Sequence, residues 1–246
     1  MCPSEQAQKT VVIVQPLYLP WMGYFGYFSS ADTMVLYDDI QFNRRSWQRR
    51  NRIKVPDGDF TYLTLPVVKN HGQEIRDVEL NNDENWQESH WKSIHHSYAG
   101  APYFDEYSER LETVYHQEWN RLVDLNTRII EILADELVPS DTEVMLSSEL
   151  DVTGSKTERL INILDAVDGD AYISGPAARD YLDTEPFADA GISLYWHEFD
   201  HPEYPQPHGE FVSHLSAIDV LFNMGPEARN LVQEGEEDAL VRDPDT

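Results

Sequence analysis

The chain has almost no cysteine and no long apolar run, and both shortages exclude classes of protein. Cys2 is the only cysteine among 246 residues, so an intrachain disulfide and a thiolate zinc site are excluded. A cysteine so near a chain end, where the backbone usually frays, is also a poor catalytic nucleophile. No apolar run approaches the roughly 20 residues that a helix needs to span a bilayer. The opening MCPSEQAQKT lacks the basic and apolar regions of a secretory signal, so we expect a cytoplasmic protein without a membrane span.

Basic residues are scarce, and lysine is the scarcer of the two. The 18 Lys+Arg, of which only five are lysine, face 45 Asp+Glu and give a formal net charge of -27. An acidic surface with few lysines is typical of a salt-rich cytoplasm, where counterions screen the self-repulsion of the chain, so we expect a halophilic protein. The acid excess also argues against nucleic-acid binding, because proteins that bind nucleic acids present a basic surface.

Length and composition fit one globular domain over residues 1–246. A hydrophobic fraction of 41%, with 11% aromatic residues, is enough for a sizeable core. We expect residues 1–9 and the acidic stretch 234–246 to be unfolded tails. Residues 84–137 have helical character and are expected to form an insertion between the strands on either side.

The start of the chain predicts the fold class. Residues 11–14 are β-branched throughout, which suits a strand buried on both faces. Pro16 ends this strand, because it cannot donate to a sheet ladder. A helix over 20–30 and a second strand over 34–37 complete the parallel βαβ pattern. We therefore predict an α/β fold with a Rossmann-like (doubly wound), largely parallel sheet, and a β-hairpin around the turn at 56–59.

Polar residues follow each predicted strand at its carboxyl end, where parallel sheets bind their ligands. These residues are 15–18, 38–41, 174–175 and 201–204, and we predict that they converge at one edge of the sheet. His201, Asp38 and Asp39 are the candidate catalytic residues, one of them acting as a general base. Backbone N–H groups at 174–175 would stabilise an oxyanion. The alternative for the paired acids is structural, with one capping a turn and the other pairing with the arginines that follow at 44–52.

A basic cluster directly follows the second predicted strand. Six of the 18 basic residues fall within positions 44–54, against a strongly acidic background. Surface ion pairs would explain them at about 0–1 kcal/mol each. An anion site, where arginine forks grip phosphate or carboxylate, explains their position better. The complete set of candidate substrate-binding residues is Gln15, Tyr18, Gln41, Arg44, Trp47, Arg49, Arg50, Asn51, Lys54, Ser174, Gly175 and Tyr204.

The sequence lacks a common zinc-binding motif and contains only part of a phosphate-binding motif. The nine histidines include no HExxH spacing, so we predict no metal site. The stretch Gly154-Ser155-Lys156-Thr157 resembles the end of a phosphate loop, but Glu149 stands where the upstream glycine is required. A P-loop nucleotide triphosphatase is therefore excluded, and the sequence leaves the cofactor unknown.

Several long blocks resemble one protein family. They read QPLYLPWMGYF, YDDIQF, RRSWQRRNRIK, TYLTLPV, SGPAARDYLD, HPEYPQ and LSAIDVLFNMG. In this order they are similar to the WbqC-like protein family over about residues 11–225. The resemblance implies a role in the biosynthesis of O-antigen lipopolysaccharide and other surface polysaccharides. It also implies transfer of an acyl or aminoacyl group, such as glycine, onto an amino sugar, without assigning catalytic residues.

We therefore expect an acyl- or aminoacyltransferase whose partner is a small molecule with phosphate or carboxylate, either a nucleotide sugar or an activated acyl donor. A nucleotidylyltransferase-like enzyme is an alternative, although residues 20–24 stand where its paired histidines would lie. A non-catalytic glycan- or nucleotide-sugar-binding protein is another, because six Trp and thirteen Tyr suit sugar stacking. The oligomeric state is left open.

Overall fold

The computed structural model describes residues 8–68 and 72–246. Three features of the sequence lie outside these ranges: Cys2, most of the tail expected at 1–9, and the loop expected at His71. The elements, in chain order, are β1 (Thr10–Val14), α1 (Met22–Ser30), β2 (Thr33–Leu36), β3 (Arg50–Lys54), β4 (Phe60–Thr64), α2 (Trp86–Tyr98), α3 (Phe104–Tyr115), α4 (Leu122–Leu137), β5 (Glu143–Leu146), α5 (Lys156–Ala166), β6 (Ala171–Ser174), α6 (Glu185–Asp189), β7 (Ser193–His197), α7 (Ala217–Met224), α8 (Ala228–Glu236) and β8 (Leu240–Arg242).

Six strands form one sheet in the order β5-β2-β1-β6-β7-β8. All neighbouring pairs are parallel except β7 with β8, which is antiparallel. β1 lies in the middle, and the chain adds β2 and β5 on one side of it and β6 and β7 on the other. The predicted doubly wound, largely parallel α/β fold is confirmed. The carboxyl ends of the parallel strands consequently share one edge.

Helices cover both faces of the sheet, and β1 shows why. Its side chains alternate, with Val12 in one apolar core and Val11 and Ile13 in another. The first core includes α1, α4 and α7, whereas the second includes α5 and α6. Because both faces are buried, the strand reads as a continuous β-branched run.

The hairpin of β3 and β4 is separate from this sheet. Its antiparallel register pairs Arg52 with Tyr62 and Lys54 with Phe60. Gly58 in the connecting turn has φ of +95°, a conformation that glycine adopts without steric cost. The predicted hairpin is therefore present, and α2, α3 and α4 follow it in the range expected to be helical. No helix of the described residues is long and apolar enough to cross a membrane.

The end of the chain differs from the expectation of an unfolded tail. α8 extends to Glu236 and β8 pairs with β7, with Trp196 opposite Val241. The indole of Trp196 donates to Asp243 over 2.8 Å, and the Asp243 N–H donates to the Leu194 carbonyl. An acid that would be solvated in a disordered tail is thus bonded, so the expectation is wrong for these residues. At the other end, the Lys9 N–H donates to Asp170 over 2.9 Å.

Candidate functional site

The basic segment 44–54 is attached directly to the carboxyl end of β1. The Tyr18 N–H donates to the Trp47 carbonyl over 3.0 Å. The side chain of Gln48 donates to that of Gln15 over 2.8 Å, and Asn126 donates to the carbonyls of both Pro16 and Gln48. Gln15 is exposed. The basic segment therefore lies beside the carboxyl end of the central strand.

Two arginines and three aromatic rings form a partly exposed surface on and beside the hairpin, which we call the arginine–aromatic face: Trp47, Arg50, Arg52, Phe60 and Tyr62. The Arg50 guanidinium lies 4.9 Å from the Tyr62 centroid, and that of Arg52 lies 4.9 Å from the Phe60 centroid. The Trp47 ring is 5.9 Å and 5.7 Å from the same two guanidinium groups. Trp47 and Tyr62 are 42% and 43% exposed. Cation–π contacts therefore hold both arginines in place.

The register explains this interleaving. Arg52 lies directly opposite Tyr62, and Arg50 lies opposite Thr64. Each guanidinium leans diagonally over the aromatic ring two residues earlier on β4, within reach of a long side chain. Arg50 and Arg52 are alternate residues of one strand, so they project on the same side.

Arg50 carries hydrogen-bonding groups that no described residue uses. Its guanidinium makes no hydrogen bond or ion pair within residues 8–68 and 72–246, and its Nε is buried. Arg52 donates to the carbonyls of Ser213 and, over 2.8 Å, His214 through one terminal nitrogen. Its Nε is also buried without a partner. Partly buried guanidinium groups with N–H donors that lack a protein acceptor gain hydrogen bonds when an anion binds there.

The neighbouring arginines add positive charge. Arg49 donates to the carbonyls of Arg44 and Leu65 over 3.0 Å and 2.9 Å. Burial lowers the pKa of Arg49, and the charges of Arg44 and Arg50 lower it further. Arg44 itself is exposed. A bound anion would relieve this like-charge repulsion.

Five expected substrate-binding residues lie in the interior instead of at an open site: Tyr18, Asn51, Lys54, Ser174 and Tyr204. The Tyr18 hydroxyl bonds His90 and Tyr115, and the Asn51 amide donates to the carbonyls of residues 18 and 19. Lys54 donates to Gln206 and to the Glu210 carbonyl, beneath the loop after β7, and burial lowers its pKa. The Tyr204 hydroxyl donates to Asp219 over 2.9 Å. The sequence placed them near strand ends but carried no signal for these distant partners.

Asp38 and Asp39 take structural roles. Asp38 is fully buried and accepts hydrogen bonds from the Ser148 N–H and the Ser148 hydroxyl, so it caps the turn after β5. Asp39 forms an ion pair with Arg159 and accepts from Ser147 over 2.7 Å. These contacts match the alternative in which one acid caps and the other pairs, although the partner is Arg159 on α5.

A cavity of about 510 Å³ opens beside Asp39. Both arginines that line it are already neutralised, Arg76 by Glu74 and Arg159 by Asp39. Acids predominate in its wall, so it repels anions. Its lining residues are Asp39, Glu74, Arg76, Ser148, Glu149, Leu150, Asp151, Val152, Gly154 and Arg159. Gln41 is exposed and forms an isolated bridge with Glu74, next to this cavity.

His201 belongs to an aromatic stack beside the arginine–aromatic face. Trp21 stacks on His214 at 4.9 Å and on His201 at 6.0 Å between ring centroids. The Nδ1–H of His201 donates to the Pro202 carbonyl, so Nε2 accepts from the His214 N–H at 3.2 Å. Burial lowers the pKa of His201. The His201 imidazole is therefore neutral, but its Nε2, the nitrogen that could take up a proton, already accepts a hydrogen bond.

His214 is a candidate that the sequence prediction missed. It lies in a loop with φ of +57° and is exposed, and its imidazole nitrogens form no hydrogen bond within the described ranges. Burial and the charge of Arg52 lower its pKa, which favours the neutral, basic form. Loop residues carry no periodic pattern. Its only sequence signal is its position just before the block LSAIDVLFNMG.

Ser174 and Gly175 end β6 at the same sheet edge. Ser174 is buried, and a Cβ added at Gly175 would lie 3.3 Å from the Tyr27 hydroxyl of α1. They share no hydrogen bond with the arginine–aromatic face in the described chain. Within the described residues, no group of three or more His, Cys, Asp and Glu side chains is arranged to hold a metal ion.

Comparison with known proteins identifies relatives over most of the chain. The sequence model of the WbqC-like protein family matches residues 15–231. An uncharacterized protein of Mycobacterium tuberculosis (strain ATCC 25618 / H37Rv) is 36% identical over 224 residues, which cover 89% of this chain and 96% of that relative. No solved structure matches.

Proposed function

The chain belongs to the WbqC-like protein family, and we propose that it is a transferase that moves an acyl or aminoacyl group onto an amino sugar during surface-polysaccharide biosynthesis. The arginine–aromatic face would bind the phosphate or carboxylate of the substrate. The surface-polysaccharide role comes from the family resemblance, and the choice of site comes from the geometry of the hairpin.

One observation carries the proposal. The guanidinium of Arg50 is held by Trp47 and Tyr62 but has no acceptor or acid partner among the described residues, in a chain with a net charge of -27. Arginine forks bind phosphate and carboxylate through paired hydrogen bonds. A pre-positioned and unoccupied fork is what such a ligand requires.

The reaction needs a base near the bound anion. The amine nitrogen of the sugar would attack the acyl carbonyl, forming an N–C bond while the bond to the leaving group breaks. His214 is the proposed base in place of His201, because its imidazole is exposed and unbonded in the described chain and its pKa is lowered. It would take the proton of the attacking amine and return it to the leaving group. His201 would position it through the contact at 3.2 Å to its backbone N–H.

Transfer assays test this function. Wild-type protein incubated with amino-sugar nucleotides and acyl or aminoacyl donors should give an acylated sugar that mass spectrometry detects. His214→Gln should lower kcat by about 100-fold or more. His116→Gln, which changes an exposed histidine outside the stack, should leave it unchanged. No product across the panel, or full activity in His214→Gln, would count against the proposal.

A second function is supported by the exposed rings. Trp47 and Tyr62 are 42% and 43% exposed, which suits a protein that binds a nucleotide sugar without reacting. Tight, reversible binding without product across the same panel would support this alternative.

A further inference from the structure

The arginine–aromatic face combines two cations with an open aromatic surface, which restricts the ligand it fits. Arg50 and Arg52 are alternate residues of β3, so their Cα atoms are separated by about 7 Å along the strand. One carboxylate is satisfied by one guanidinium fork. The Arg50 fork and the remaining terminal nitrogen of Arg52 together suit two linked anionic groups, and the linked phosphoryl groups of a diphosphate lie within this span.

The aromatic part of the face is equally selective. The Trp47 and Tyr62 ring centroids are 6.2 Å apart with an interplanar angle of 32°, and each ring remains more than two-fifths exposed. Exposed rings beside cations stack the flat bases of nucleotides, and any base has a π-face to offer. A free acyl or aminoacyl donor without a base would leave these rings unused.

We infer that the arginine–aromatic face binds a nucleoside diphosphate, with the diphosphate across Arg50 and Arg52 and the base on Trp47 and Tyr62. This rests on the proposed function, because it takes the same face as the substrate site and selects the nucleotide-sugar class. A bound diphosphate also adds negative charge near Arg49, whose pKa is lowered by burial and then by the charges of Arg44 and Arg50.

A single-stranded nucleic acid offers the same phosphates and bases and is the principal competitor. The net charge of -27 disfavours it, because every phosphate beyond the face meets an acidic surface. A nucleoside diphosphate places its charge only where the arginines lie.

Titration calorimetry can separate the contribution of the arginines from that of the aromatic rings. The ligands are UDP, UMP, uridine, inorganic pyrophosphate and a short oligothymidylate. Wild-type protein should bind UDP more tightly than UMP, and UMP more tightly than uridine. Arg50→Gln should lower the affinity for UDP and for pyrophosphate by about tenfold or more and leave the affinity for uridine unchanged. Trp47→Ala should lower the affinity for UDP and for uridine by about tenfold and leave the affinity for pyrophosphate unchanged.

Matched controls change the same residue types elsewhere. Arg128→Gln removes an exposed arginine paired with Glu131 on α4, and Tyr181→Ala removes a ring that is 78% exposed; neither should alter UDP binding. If Arg50→Gln does not fold, Arg50→Lys replaces it, and the wild-type order of UDP, UMP and uridine still decides the inference.

Three results would overturn it: equal affinity for UDP and UMP, wild-type UDP affinity in both face variants, or tighter binding of the oligothymidylate than of UDP. Because no turnover is measured, UDP binding without transfer activity would count only against the proposed function. Transfer by a protein that does not bind UDP would overturn only this inference.

Discussion

His90 on α2 is buried, and its Nδ1 lies 2.8 Å from the Tyr18 hydroxyl, which is 2.9 Å from that of Tyr115. Burial lowers the pKa of His90 to about 4. The ring is therefore neutral at pH 7.

This pKa predicts a loss of stability in acid. The unfolded chain binds the proton near pH 6.5 and the folded chain only near pH 4, so the free energy of unfolding falls as pH drops between these values. The full shift corresponds to on the order of 3 kcal/mol. Urea titrations at several pH values should show a flatter pH dependence for His90→Asn than for the wild type.

The matched control is His96→Asn on the exposed side of the same helix, which should keep the wild-type slope. An unchanged slope in His90→Asn would show that His90 does not carry this pH dependence, whatever the absolute stability of the variant.

At the scale of elements, the hairpin turn sets the position of the arginine–aromatic face. Gly58 has φ of +95°, and a Cβ built there would lie 3.1 Å from the His208 carbonyl. Gly58→Ala should therefore lower the free energy of unfolding by about 1 kcal/mol or more, through backbone strain and the close contact. Chemical denaturation measures this change.

Gly100→Ala provides the comparison, because an added Cβ there has nothing within 4 Å and the backbone is not in the left-handed region. It should be neutral or slightly stabilising. Equal stability of the two variants would contradict the role assigned to Gly58.

The sequence predicted elements where burial leaves a pattern. β1 and β2 are buried on both faces and read as apolar runs, and the hairpin has a turn with glycine at the left-handed position. β8 was missed because it has only three residues, all exposed, in an acidic stretch. It forms only by pairing with β7, which lies more than 40 positions earlier in the chain; Tyr195, for example, is opposite Arg242.

The position of the basic segment was predictable, but the contacts of individual candidate residues were not. Proximity to a strand end correctly placed the basic segment beside Gln15. Tyr18 shares that end, yet its hydroxyl is used by His90 on α2, 72 positions later. His214 joins the site through the Arg52 contact to its carbonyl. Tertiary contacts of this kind leave no local pattern in the chain.

At the scale of the whole molecule, the charge of -27 predicts opposite effects of salt on folding and on binding. From about 0.1 M to 1 M KCl the Debye length shrinks from about 10 Å to about 3 Å. Self-repulsion of the acids weakens, so the thermal midpoint should rise, whereas UDP affinity should fall as the arginine–phosphate attraction is screened. Thermal melts and titrations across this series measure both trends. A midpoint that falls with KCl would contradict halophilic adaptation.

The central claim is that Arg50 and Arg52 bind the anionic part of the substrate on the arginine–aromatic face. A crystal structure of the wild-type protein with UDP tests it most directly. We predict phosphoryl oxygens within hydrogen-bond distance of both guanidinium groups and the uracil ring stacked on Trp47 or Tyr62. Ordered UDP in the cavity beside Asp39 and Arg159, with both face arginines free of ligand, would contradict the claim.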